Sequence, residues 1–271
     1  MNIAFFQGAF FLYFIGAGFC LAHLVTLRAM LARLGRGFLA GGLGVHTLAI
    51  LLRVFESGRT PLANLHEALS FFAWATVAVY FLLYFKYRLE ALGAFVSPVA
   101  VVMMVLAALF PKEIVPVEPV LNSFWLPIHV ILAIIGNALF ALGFAAAVMY
   151  LLQERQIKSK RIGVFYRRLP ALKILDDLNY RCLTWGFPFL TLGIITGSIW
   201  AQSAWGTYWS WDPKQTWSLI TWFLYAALLH GRLTVGWRGR KAAIFAVAGF
   251  GFLVFTFLGV NLLLSGMHGF K

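Results

Sequence analysis

Acidic side chains are scarce: nine Asp and Glu stand among 271 residues, and charged residues of both signs make up only 11% of the chain. A soluble domain carries about 25% charged residues, so a water-facing surface over most of the molecule is excluded. Cysteine is equally sparse. Cys20 and Cys182 lie far apart, with no CxxC and no Cys/His cluster, which excludes a disulfide framework or a thiol relay and leaves both as packing residues. No paired carboxylates, Ser-His-Asp set, phosphate-binding loop or HExxH motif occurs, so hydrolysis and phosphoryl transfer lack their usual residues and any chemistry belongs to a bound cofactor. Internal repeats, low-complexity tracts and heptads are also missing, which sets aside solenoids and coiled coils. The first apolar stretch has neither a basic leader nor a small-residue cleavage site, and is expected to be a retained helix.

What the chain has instead is apolar length. Hydrophobic residues make up 62%, and a bilayer core about 30 Å thick needs about 20 of them per helix. Eight stretches qualify, near 5–27, 38–55, 66–85, 91–110, 124–152, 183–201, 214–231 and 242–264. The fold expected is an all-α polytopic membrane bundle of about eight helices, read as one domain over 1–271. The fifth stretch exceeds the membrane and should tilt or protrude, and Ser97-Pro98 should bend the fourth. Glycines crowd the start of the second.

A formal charge of +13 would suggest nucleic acid for a soluble protein, but here it sorts by loop. Seventeen of the twenty-two Lys and Arg fall in the first, third, fifth and seventh connections, leaving Arg53, Arg59, Lys112, Lys214 and Lys271 on the other face. The positive-inside rule then puts both termini outside, with external loops near 56–65, 111–123 and 202–213 and an external tail from 265. No nucleic-acid partner is called for. The long inner connection, about 153–181, spaces Leu169, Leu172, Leu175 and Leu178 among basic residues, a pattern that suits a helix lying on an anionic leaflet or docked on a partner.

Chemistry concentrates in the segment WAQSAWGTYWSWDPKQTW, which places Trp200, Trp205, Tyr208, Trp209, Trp211 and Trp217 within eighteen residues on the outer face. Two or three such rings would be an interfacial aromatic belt. Six exceed that, and flat indoles stack on a porphyrin while Gly206 lets the backbone approach a planar ligand. Asp212, Pro213 and Gln215 read as a capping-box start for the seventh helix, and Asn64 with Glu67 as a second one for the third. His129 begins the fifth helix and His268 follows the eighth, so two imidazoles flank the aromatic loop from one face, as bis-His haem ligation requires. His230 ends the seventh helix near the inner face, where an imidazole in apolar surroundings marks a second site. His46 and His23 are the in-chain candidates for its partner, and His66 belongs with the outer cap.

The aromatic segment resembles the haem-handling WWD motif of the CcsA/ResC family of cytochrome c biogenesis proteins. The likeness extends through LPALKILDDLNYR, WGFPFLTLGIITGSIW, SGRTPLANLHEALSFFAW and GVNLLLSGMHGF, and so over most of the chain. It implies a subunit of a System II cytochrome c synthase, a haem lyase complex formed with a ResB/CcsB partner, which moves haem b outward and presents it to the CxxCH motif of apocytochrome c. By the same likeness His129 and His268 are the external iron ligands. His230 is the transmembrane one, whose opposite ligand comes from the partner. The WWD loop, about 202–216 with Trp205, Tyr208, Trp209, Trp211 and Asp212, positions the haem vinyl groups. The tail reads SGMHGF where SGLHSY is common, so a Tyr role is not carried over. A HemX-like regulator of tetrapyrrole synthesis shares the eight-helix plan, but the complete WWD segment and the three placed histidines argue against it. A haem transporter without ligation activity is the other alternative. The setting implied is a cytoplasmic membrane, multi-pass and in contact with lipid; a thylakoid membrane carries the same motifs and polarity.

Overall fold

The computed structural model describes residues 2–114, 123–160 and 167–263, and among these no strand occurs. The order is α1 Asn2–Thr26, α2 Ala29–Ser57, α3 Leu65–Tyr87, α4 Glu90–Leu109, α5 Trp125–Lys158, α6 Leu172–Trp205, α7 Pro213–Leu233 and α8 Arg240–Val254. A π-helical segment, Phe255–Gly259, and a last α-turn, Val260–Leu263, continue α8. The all-α membrane class expected from the sequence is what is found. Seven of the eight helices are long and apolar enough to cross a membrane. The exception is α7, which at 21 residues is long enough but carries Lys214, Ser218, His230 and Arg232 along its length.

Hydropathy located the helices and misplaced several ends. Helix α2 begins at Ala29, not near 38, so Arg33 and Arg36 lie inside it and only Leu27 and Arg28 separate it from α1. The glycines that obscured its start are contact points. A methyl on Gly35 would meet Cys20 Sγ at 2.7 Å, and one on Gly42 would meet the Tyr13 ring at 2.6 Å. Small residues let membrane helices approach closely, and that approach replaces the hydrophobic drive that lipid removes. Cys20 is buried and free, as is Cys182.

The connection expected over 153–181 is also shorter. Helix α5 continues to Lys158 and α6 starts at Leu172, so each has 34 residues, about 51 Å at 1.5 Å per residue. Leu169, Leu175 and Leu178 are buried against the protein's own packing and do not lie on a leaflet. Pro98 leaves α4 as one helix, with the Ser97 hydroxyl donating to the Gly93 carbonyl at 2.7 Å.

The chain gathers into two compact units, Met1–Ile114 with Met149–Leu175, and Val115–Val148 with Asp176–Lys271. The first holds a buried ionic cluster at the start of α3. Asn64 caps the helix by accepting from Glu67 N at 2.8 Å, as the capping-box pattern requires. The Glu67 carboxylate accepts not from Asn64 N–H but from Ala63 N at 2.8 Å, Arg53 Nε at 2.8 Å and Arg59 at 3.1 Å. Arg53 also donates to the Lys112 carbonyl at 2.8 Å. The second unit packs α5 on α6 through glycine: a methyl on Gly136 would sit 3.1 Å from Leu190 N, and one on Gly193 would sit 3.3 Å from Ala133. Tyr225 of α7 stacks on Phe140 of α5 with ring centroids 3.7 Å apart and planes 7° from parallel.

Candidate functional site

The aromatic segment spans the end of α6, the loop 206–212 and the start of α7. Asp212 caps α7 as expected, its carboxylate accepting from Lys214 N at 2.9 Å, with Pro213 at the first helical position. Gln215 does not complete the box on Asp212. Its side-chain oxygen accepts from Ser210 N at 2.9 Å and from the Ser210 hydroxyl at 3.1 Å, two residues farther back. Ser198 Oγ donates to the Tyr208 carbonyl at 2.7 Å, tying the loop to α6. The backbone is therefore fixed from both flanking helices.

This fixed loop holds two of its rings outward. Tyr208 is 60% exposed and Trp211 70%; Trp211 has φ 55°, a conformation that a bulky residue adopts only when its surroundings impose it. Trp209 meets Trp211 edge to face, with centroids 5.8 Å apart and planes at 87°. The Trp209 Nε1–H is buried with no hydrogen-bond partner among the described residues. Trp200 is buried, and Trp205, the last residue of α6, meets it at 4.9 Å and 67°.

His129 lies in the first turn and a half of α5. Its Nδ1 is 2.6 Å from the Gly193 carbonyl, and its ring lies nearly parallel to Trp200, at 13° and 6.4 Å between centroids. A carbonyl only accepts, so Nδ1 carries the proton and Nε2 keeps its lone pair. An orienting carbonyl on the second nitrogen is the usual support for a metal-binding imidazole. Gly197 forms the floor under this ring: a methyl there would fall 2.6 Å from both His129 Cε1 and Nδ1. Gly193 and Gly197 went unread in the sequence, although Gly-Ile-Ile-Thr-Gly is the small-xxx-small spacing of close membrane-helix contacts.

The other histidines separate clearly. His46 is fully buried, with Nε2 2.8 Å from Ser70 Oγ and Nδ1 3.4 Å from Tyr13 Oη, so both ring nitrogens are engaged and it is a packing residue. His66 donates from Nδ1 to the Ala107 carbonyl at 2.8 Å, and His23 Nδ1 lies 3.1 Å from the Arg28 carbonyl. His230 sits at the opposite end of α7 from the tryptophan loop, and its side chain is exposed. The structure thus joins His129 to the tryptophan segment through Trp200, which meets Trp205; Tyr208, Trp209, Trp211 and Asp212 follow on the loop, His230 lies at the other end of α7, and His268 lies outside the described residues.

Comparison with known proteins gives the arrangement a family. Residues 62–268 match the model of the cytochrome C assembly protein family. The chain is similar to the cytochrome c biogenesis protein CcsA of Chlamydomonas reinhardtii, 41% identical over 232 residues, which cover 82% of this chain and 64% of that protein. It is 35% identical to CcsA of Synechococcus sp. (strain JA-3-3Ab), covering 97% of this chain and 91% of the relative. CcsA of Guillardia theta is 38% identical over 83% of this chain. Among solved structures, the cytochrome c haem lyase CcmF shares the fold with a TM-score of 0.66 at 20% identity, over 95% of this chain and 46% of that one. By the length and strength of these matches, the chain belongs to the cytochrome c assembly protein family.

Proposed function

We propose that this multi-pass membrane protein, whose family places it in cytochrome c biogenesis, carries haem across the membrane and presents it on the tryptophan loop for attachment to apocytochrome c. The observation that carries the proposal is His129: its Nδ1–H is spent on the Gly193 carbonyl, and its Nε2 is left to bind iron on a ring that lies against Trp200, in the segment whose loop exposes Tyr208 and Trp211. His268 is the second axial ligand in this reading. Positive-inside polarity puts the loop outside. Two imidazoles hold the iron while the indoles hold the ring face. The vinyl edge is then left to the two thiols of a CxxCH motif. In each addition the thiol sulfur bonds one vinyl carbon and the proton goes to the other, so no redox change at sulfur is needed. This chain supplies no competing thiol, because Cys20 and Cys182 are both buried.

His230 supports a second, inner station. Its imidazole is exposed on the same side of α7 as Ile220 and Phe223, and a bare imidazole on an apolar helix face is costly unless another chain covers it. A ResB/CcsB-type subunit is the partner proposed to bring the opposite ligand, with haem b as the cargo and a cytoplasmic or thylakoid membrane as the setting.

The test is an absorption spectrum of the detergent-purified complex, reduced, for the native protein and for His129→Ala, His268→Ala and His230→Ala. A bis-imidazole haem signal that falls in the first two variants, together with cytochrome c yield, is expected. Undiminished haem and yield in both would refute the outer site.

A further inference from the structure

The connection from α7 to α8 is built more rigidly than a solvated basic loop needs to be. Arg232 donates to both carboxylate oxygens of Asp176 at 3.0 Å and to the Asp176 carbonyl at 3.2 Å. The same carboxylate accepts from Gly239 N at 3.0 Å. Trp237 N donates to the Gly231 carbonyl at 2.9 Å, and the Trp237 ring lies flat on Gly231, where a methyl would come within 2.5 Å of it. Gly236 and Gly239 take φ of 73° and 62° to close the turn. The Lys241 ammonium sits over that ring, 3.7 Å from its centroid, Phe245 packs against the same ring at 5.0 Å, and Arg238 and Arg240 are exposed in the same connection. Residue 231 directly follows His230, so the stack Gly231, Trp237, Lys241 starts one residue beyond the exposed imidazole at the same end of α7.

An ordinary positive-inside cluster requires only charge. Here Asp176, the acidic group in the loop's hydrogen-bond network among the described residues, is engaged by Arg232 and Gly239, while Lys241, Arg238 and the neighbouring Asp177 are exposed. A ligand suited to this edge has an acceptor site for an imidazole and anionic groups a short distance away. Haem has both, an iron and two propionates. A lipid phosphate would use the cations and ignore His230.

We propose that the α7–α8 connection is a carboxylate-recognition platform, on which Lys241 and Arg238 hold the haem propionates while His230 takes the iron. The proposal rests on the haem reading of His230. The complex with its partner is placed in nanodiscs of phosphatidylcholine, with and without phosphatidylglycerol, and titrated with haem and with haem dimethyl ester, whose carboxylates are blocked. The signal followed is the absorption difference against His230→Ala. Arg238→Gln with Lys241→Gln is expected to weaken haem binding roughly tenfold, the sum of two partly exposed ion pairs, to leave the dimethyl ester unchanged, and to be restored by Arg238→Lys with Lys241→Arg. Equal loss of haem and ester would show that the loop's fold and not its charge was altered, and would overturn the proposal. So would undiminished haem binding, or a loss seen only with phosphatidylglycerol, which would assign the cations to headgroups. Absence of any His230-dependent signal in the native complex would remove the inner station itself and this inference with it.

Discussion

Gly197→Ala tests the outer site through one methyl group. The added carbon would lie 2.6 Å from His129 Cε1 and Nδ1 and 3.3 Å from Cγ, so the ring must retreat by about 1 Å to reach ordinary contact. The bond from Nδ1 to the Gly193 carbonyl, now 2.6 Å, then stretches beyond useful geometry. Helix α6 could back away instead only by giving up its close packing on α5, where Gly193 lies against Ala133. Overpacking of this kind costs about 1–3 kcal/mol, and the lost hydrogen bond about 0.5–1.5 kcal/mol. Losing the group that orients a metal-binding imidazole typically weakens metal affinity ~10–100-fold. The assay is the haem-to-protein ratio and the reduced absorption spectrum of the purified complex, with thermal unfolding in parallel. Gly251→Ala is the control, since nothing lies within 4 Å of a methyl there; it is expected to retain native haem and stability. A Gly197→Ala protein with the native spectrum, haem content and cytochrome yield would refute the idea that the Gly193 carbonyl and the Gly197 floor set the ligand.

Trp209→Ala with Trp211→Ala removes the edge-to-face pair of the loop, worth ~0.5–1.5 kcal/mol beyond burial, and is expected to lower cytochrome c maturation while His129-dependent haem is partly kept; normal maturation would count against the platform. Asp212→Ala deletes the α7 cap at a cost of about 1 kcal/mol, read as a lower melting temperature and a reduced thioether yield. Glu67→Gln leaves Arg53 and Arg59 without their carboxylate. Breaking a buried pair costs about 3–5 kcal/mol, so this variant should unfold at clearly lower temperature, and a melting curve matching the native one would show the cluster to be dispensable.

Helix positions were legible because lipid demands about 20 apolar residues whatever the fold, and that demand survives in composition. Helix ends were not, because hydropathy stops at charge and helices do not. Arg33 and Arg36 continue α2, and Leu172 to Arg181 belong to α6. The leucines at 169, 175 and 178 show the same ambiguity from another side: an apolar stripe at helical spacing looks alike whether it lies on a membrane or inside a protein, and here burial decides for the inside.

The site divides along a similar line. Indoles, imidazoles and a cap residue announce their chemistry by type, so the tryptophan loop, His129 and His230 could be named from sequence. Gly193 and Gly197 could not be given a role in the same way, because their contribution is a missing side chain that makes room for a ring sixty-odd residues away. Helix α7 joins the two kinds of information. It falls short of the apolar content of its neighbours because its Lys214 end borders the tryptophan loop and its other end carries His230 and Arg232. Such a helix gains little from lipid alone and must be held by polar contacts to its own unit. Trp222 Nε1 donates to Thr191 at 2.9 Å, Thr221 meets Thr256 at 3.0 Å, and Arg232 grips Asp176. The low hydropathy of α7 therefore follows from the charged and polar residues at both its ends, and the contacts that offset it set the position of each end.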